Sequence, residues 1–438
     1  MRVTIFGLGR YEHGSGLAAV KFFMDQNADL LITDQQSESD LHEQIERVKT
    51  YARESGFTSS IIWGMGEHKP EYITNADLVV FNQAVPITSE WVQLAKKNKV
   101  PVESEITLFF KHCPAKIIGI TGTRGKSTTT ALIHHILKEN GFPVHLGGNI
   151  ASRAALELLP AIKTTDFVVI EISNFMLEYL DEQKRSPWIA VLTNVLPDHL
   201  SRYMGSMQAY ADVKAVITRH QKPDEVFITS KSNTFTQAIA ARSPARVLFY
   251  DEQTADLTAL PLRGEHNTLN ALAAVTVCRQ LGLDDASILE AIKSFQPLVG
   301  RQQFVRERNG VTYINDTTAT TPDALLAALQ SFHDRTLLLI AGGSDKGLDF
   351  GAVAQVLPAA VKAIVWLPGE GTQRLKVALK DAKIDQYAVA SMEDAVKRAH
   401  GLARTGEVVL LSPGCASFGL FKNEFDRGDQ FNQAVMAL

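Results

Sequence analysis

An α/β fold in three blocks is the class that this sequence predicts, and two observations carry it. Short β-branched apolar runs alternate with longer amphipathic stretches, as in VTIFGLG, LAAVKFFMDQN and DLLITD. That rhythm produces parallel sheets flanked by helices. The second observation is size: 438 residues exceed what one hydrophobic core usually organises, and 45% apolar with 21% charged residues suits a packed globular chain. Soft breaks divide it into 1–100, 101–299 and 300–438, with no internal repeat and no long Pro/Gly/Ser linker.

Composition excludes several classes. A formal net charge of −4 argues against general nucleic-acid binding, which needs clustered Lys and Arg. Three widely spaced cysteines (Cys113, Cys278, Cys415) indicate neither a disulfide framework nor a CxxC metal site. The opening MRVTIFGLGR lacks a leader pattern, and no apolar run reaches about 18 residues. The expectation is a cytoplasmic protein with no membrane partner.

The first block opens as strand, Gly7-Leu8-Gly9, helix, with Asp34 ending the next strand, which is the layout of a nucleotide-binding βαβ unit. The dinucleotide fingerprint is broken, because Glu12 stands where the third glycine belongs. A module holding some other phosphorylated group, or a plain packing turn, fits better than a dinucleotide fold.

The second block carries the strongest chemical signal, IIGITGTRGKSTTTALIHHIL from Ile117 to Leu137. A β-branched strand runs into a glycine loop and then a helix, so the N–H groups of Gly122, Thr123, Arg124 and Gly125 can cradle phosphate. Lys126 adds a point charge and Ser127 a hydroxyl for Mg²⁺. Phosphoryl transfer also needs metal to neutralise the phosphate oxygens. Glu171, ending DFVVIEIS, and His199, following IAVLTNVLPDH, stand at strand ends where ligands belong; each could instead cap a helix or satisfy a turn.

Six segments in order resemble the Mur ligase family over essentially the whole chain: TGTRGKSTTT, GGNI at 147–150, NVLPDHLSRY, GEHNTLNALAA, INDTTATTP and LLSPGCASFGLFKNEFDRG. The resemblance implies a Rossmann-like N-terminal domain, a central P-loop ATPase-like domain and a Rossmann-like C-terminal domain. It implies an ATP-dependent ligase, closest to the branch that joins D-glutamate to UDP-N-acetylmuramoyl-L-alanine through an acyl phosphate, acting as a monomer. ATP would use the loop through Thr128, with Asn267 and Asn270 near adenine and Arg301 and Asp316 reaching the nucleotide from the third domain. Ser127, Glu171 and His199 would serve two Mg²⁺ ions. Lys214 aligns with a lysine that the family carbamylates; by composition alone it reads as an ordinary helix lysine. Lys346, with Thr320, Ser417 and Phe421, would hold the glutamate, and Lys126, His199, Lys214 and Lys346 would carry the chemistry. Asn149, Ser173 and Arg202 would meet the muramoyl-alanyl part, and Gly9, Arg10 and Asp34 the uridine end.

Three departures from the family pattern stand out. Thr318 replaces a usual lysine, Asn174 and Met176 replace serine and glutamine, and NQAVP at 82–86 replaces Ser-Pro-Gly. The rivals are an L-glutamate-adding sister ligase, a folylpolyglutamate-type ligase, a nucleotide switch that joins nothing, and an NAD dehydrogenase.

Overall fold

The computed structural model describes residues 1–10, 14–150, 153–198 and 200–438. Among these, the strands form three sheets. The first runs β3 (Ile61–Met65), β2 (Asp29–Asp34), β1 (Arg2–Phe6), β4 (Leu78–Phe81), β5 (Val102–Ser104), all parallel. The second runs β11 (Arg246–Phe249), β10 (Val226–Thr229), β9 (Ile189–Leu192), β6 (Lys116–Thr121), β8 (Phe167–Glu171), β7 (Val144–Gly148), also parallel. The third runs β12 (Gln303–Arg308), β13 (Val311–Asn315), β17 (Val408–Leu411), β14 (Leu337–Ala341), β15 (Val361–Trp366), β16 (Asp385–Ala388).

Parallel strands covered on both faces must be apolar throughout, and β8 and β9 are read straight off the sequence for that reason. Ile118, Ile120, Val169, Ile170, Val191 and Leu192 are wholly buried. Each such side chain contributes about 1.5–3 kcal/mol of hydrophobic stabilisation. The edge strand β12 departs from the parallel rhythm and pairs antiparallel with β13. Its cause is local: Asn309 and Gly310 have φ +52° and +72°, the left-handed pair that closes a two-residue hairpin.

The described chain forms two compact units, Met1–Asp256 with Asn270–Ala291, and Leu257–Leu269 with Ile292–Leu438. The first two sheets share the first unit because one core joins them. Leu17 and Val20 beside the first sheet, Ile106 and Phe109 of the helix Glu105–His112, and Leu156 beside the second sheet belong to a single buried cluster. No helix among the described residues is long and apolar enough to cross a membrane.

Topology fixes where sites can form. In the second sheet the chain leaves β6, turns back through β8 and crosses to β9, so the carboxyl ends of β6, β8 and β9 bound a switch-point crevice. In the third, β17 inserts between β13 and β14, which gathers the loops after all three.

Candidate active site

The candidate phosphate loop follows β6. Gly122 (φ +147°) leaves no room for a side chain, since a Cβ there would stand 1.9 Å from Thr193 Oγ1. Gly125 (φ +82°) is the N-cap of the helix Lys126–Glu139, in the left-handed conformation that glycine adopts freely. The segment after β9 fixes the loop: the Thr123 N–H donates to Asn194 O (3.0 Å), the Arg124 N–H to Asn194 Oδ1 (2.9 Å) and Thr193 Oγ1 to Arg124 O (2.6 Å). Arg124 also pairs with Asp198 at 2.7 Å. Lys126 Nζ lies 3.1 Å from Thr123 O, Ser127 is buried, and Thr128 is half-buried on the same first turn.

Lys214, last residue of the helix Met207–Lys214, is 1% exposed and donates from Nζ to Gly122 O at 2.9 Å. Burial first, and then repulsion from Lys126, holds its amine well below the usual lysine range, although Asp198 and Glu171 oppose the shift. Glu171, at the end of β8, is 2% exposed. Its Oε1 accepts from Asn149 Nδ2 at 3.0 Å, while Oε2 is buried with no hydrogen-bond partner among the described residues. Three residues singled out from sequence, Lys126, Glu171 and Lys214, thus share one crevice with Asn149. His199 lies outside the described residues.

Asn270 belongs to the same unit: a Cβ on Gly125 would stand 2.1 Å from its Oδ1, and Thr129 Oγ1 reaches that oxygen at 3.4 Å. Asn267 falls in the second unit, where its Nδ2 donates to Arg263 O at 2.8 Å.

Ser173 caps the helix Asn174–Glu182 by accepting from the Met176 N–H at 3.2 Å. Arg202 grips Glu178 through two bonds (3.0 and 2.6 Å), lies over the Phe175 ring, and reaches Ala84 O at 3.4 Å. Tyr203 OH donates to Glu178 Oε1 (2.9 Å) and accepts from Asn174 Nδ2 (2.7 Å). Two departures from the family pattern, Asn174 and the 82–86 segment, therefore meet on one network. At the first sheet, Asp34 accepts from the Gly9 N–H (3.1 Å) and the Gln36 N–H (3.0 Å), and Arg10 donates to Gln36. Gly9, Arg10 and Asp34 are gathered at one sheet edge.

In the second unit, Asp316 is buried and accepts from the Gln302 N–H (3.1 Å) and from Ser412 Oγ (3.0 Å). Burial raises its pKa to about 7 against those bonds and the nearby Arg301. Lys346 Nζ donates to Thr320 Oγ1 at 3.1 Å, joining the loops after β13 and β14. Ser417 is buried after β17, and its carbonyl accepts from the Phe421 N–H at 3.3 Å. The Phe421 ring packs in the core with Tyr313 and Phe431, while Phe418 stands exposed nearby in sequence. Thr318 Oγ1 donates to Gly300 O at 3.0 Å.

Sequence reasoning met Thr193, Asn194, Asp198 and Arg427 only inside longer motif segments and gave none of them a role. A recognisable signal for the first three was their place directly after β9, at the same sheet edge as the phosphate loop.

A strand, glycine turn, lysine and helix at a switch point define a nucleotide-binding α/β enzyme of the phosphoryl-transferring kind. Residues 120–259 match the Mur ligase middle domain, and 300–415 match the Mur ligase glutamate ligase domain. A UDP-N-acetylmuramoylalanine–D-glutamate ligase of Roseiflexus sp. (strain RS-1) is 36% identical over 99% of this chain and 98% of its own. One of the same name from Geotalea daltonii is 33% identical over 100% of this chain and 97% of its own. The fold is similar to the crystal structure of a UDP-N-acetylmuramate–alanine ligase from Thermotoga maritima, with TM-score 0.61, 20% identity, and 100% and 99% of the two chains covered. The chain belongs to the Mur ligase family.

Proposed function

We propose that this protein is the ATP-dependent ligase that joins D-glutamate to UDP-N-acetylmuramoyl-L-alanine in peptidoglycan precursor synthesis. Full-length likeness to ligases of that name carries the reading, at 36% identity over 99% of the chain.

The chemistry suits the residues. The alanyl carboxylate takes the γ-phosphoryl group of ATP and ADP leaves; the glutamate amine then attacks the acyl phosphate, forming the amide and releasing phosphate and a proton. Around the phosphates, the N–H groups of Gly122 to Gly125 and the ammonium of Lys126 offset negative charge as it shifts. Magnesium would neutralise the phosphate oxygens, and the unpartnered, buried Oε2 of Glu171 fits a cation ligand, with Ser127 beside the loop. By resemblance His199 would join them. By resemblance Lys214 would become a carbamate: its amine would add carbon dioxide and lose a proton, turning a cation into an anion. A depressed pKa favours the neutral amine that this needs. In the other unit, Lys346 and Thr320 would hold the glutamate, with Ser417 on the neighbouring loop.

Thr318 brings no charge and spends its hydroxyl on Gly300 O, so the stereochemistry of the acceptor is tested directly. Phosphate release is measured with ATP, UDP-N-acetylmuramoyl-L-alanine and, in parallel, D-glutamate, L-glutamate or other amino acids. Turnover with D-glutamate is expected. Turnover with L-glutamate instead would move the protein to the sister activity, and inactivity with every amino acid would end the muramoyl reading.

A further inference from the structure

Arg427 is wholly buried, yet among the described residues none of its hydrogen-bond partners is a carboxylate. Its Nε donates to Thr317 Oγ1 (3.0 Å), Nη2 to Thr317 O (2.8 Å) and Nη1 to Cys415 O (3.1 Å). A guanidinium is costly to bury unless every contact is well made. Burial lowers its pKa to about 10, so at neutral pH it remains charged.

The loops that it touches are those after β13 and β17, which carry Thr320 and Ser417. They are tied at further points. The Gly414 N–H donates to Ala319 O at 2.8 Å; Ser344 and Ala416 exchange backbone bonds of 2.9 and 3.2 Å; Lys346 closes the circuit on Thr320. Three strand-end loops form a ring, and Arg427 spans two of them from behind. The helix Glu424–Ala437 holds Arg427 against the ring, since Asn315 Nδ2 donates to Gly428 O (3.1 Å) and Thr317 Oγ1 to Glu424 O (2.8 Å). A Cβ on Gly428 would stand 2.7 Å from Thr317 Cγ2, which leaves no slack at that contact.

We propose that Arg427 is a positioning residue for the acceptor amino acid: it clamps the Thr317 and Cys415 backbones so that Thr320, Lys346 and Ser417 keep the spacing that the glutamate requires. This rests on the reading of those loops as the glutamate cradle. A planar fork with donors in three directions can bridge two carbonyls and a hydroxyl at once. The point charge of a lysine cannot. The retained positive charge also lies behind a site that must accept a dicarboxylate.

The full-length chain is assayed by phosphate release as Arg427→Lys, Arg427→Gln and Thr317→Val, with KM determined separately for glutamate, ATP and the nucleotide. Misplacing a binding group by about 1 Å costs on the order of 10²-fold. Arg427→Gln is therefore expected to raise the glutamate KM about that much, and Arg427→Lys and Thr317→Val about tenfold, with the KM for ATP unchanged and the melting temperature of the two milder variants near the parent's. Ethylguanidinium should restore part of the loss in Arg427→Gln. Should Arg427→Gln not fold, the other two variants decide. Folded variants with an unchanged glutamate KM, or with all constants worsening together, would overturn the clamp while parent activity leaves the ligase reading standing. A parent inactive with every amino acid defeats that reading, and the clamp with it.

Discussion

Lys214 donates to the carbonyl of Gly122 at 2.9 Å, across 92 residues of sequence, which ties the end of one helix to the turn that would hold phosphate. Lys126, Arg124 and Lys214 then crowd one loop, and their mutual repulsion is relieved by an anion or by loss of a proton. A carbamate supplies both. Because burial holds the folded pKa of Lys214 below the ordinary lysine value, the neutral amine is already available below that range. Lys214→Ala should be inactive and should recover with short-chain carboxylic acids, whereas enzyme stripped of bicarbonate should regain activity when it is returned. Unchanged turnover in Lys214→Ala would make this residue purely structural.

Removing Lys126 should be as severe. Lys126→Ala deletes the charge that would meet the outer phosphates, and losing a preorganised electrostatic partner of this kind typically costs about 10²–10³-fold in rate. Phosphate release with all substrates present is the measurement. Normal turnover would remove the phosphate-loop assignment.

How much of this was legible depended on whether a feature is local. Gly122, Gly125, Lys126 and Ser127 fall within six consecutive residues because phosphate chemistry demands neighbouring N–H groups, so the motif announces itself. Strands such as β8 and β9 announce themselves too, since burial on both faces forces continuous apolar runs. The pairing of Arg124 with Asp198 spans 74 residues and that of Arg427 with Thr317 spans 110, and only sheet order brings such residues together. Arg427 misleads further, because an arginine in a helical first turn normally faces water. Asn309-Gly310 is the opposite case: a hairpin signal was present, but the βαβ rhythm around it drew attention to parallel strands.

Gly148 supports the Glu171 carboxylate. It sits at φ +84°, and an added Cβ would stand 2.2 Å from Glu171 O, next to the Asn149–Glu171 contact. Gly148→Ala should therefore lower the melting temperature and abolish turnover together. Gly141, at φ +75° with nothing within 4 Å of its built Cβ, is the control. Gly141→Ala should cost only the left-handed penalty of about 1–2 kcal/mol and leave activity intact. Equal effects at the two positions would mean that backbone strain alone, and not crowding at Glu171, decides the outcome.

Glu105 gives the first unit a pH-dependent joint. It is 2% exposed, stands at the start of the helix that joins the first two sheets, and its Oε1 accepts from the Leu156 N–H at 2.7 Å. Burial outweighs that bond and raises its pKa from 4.5 to about 7. The folded state thus binds this proton more tightly than the unfolded chain does. The resulting contribution is complete below about 4.5 and is lost as pH rises through about 7. At about 1.4 kcal/mol per unit, the shift amounts to roughly 3 kcal/mol. Glu105→Gln keeps a carbonyl oxygen to accept from Leu156 but has no proton to lose. Its melting temperature relative to the parent's should rise between pH 5 and pH 8; a difference that stays flat across that range would show that Glu105 is ionised in the fold and is stabilised by the Leu156 N–H.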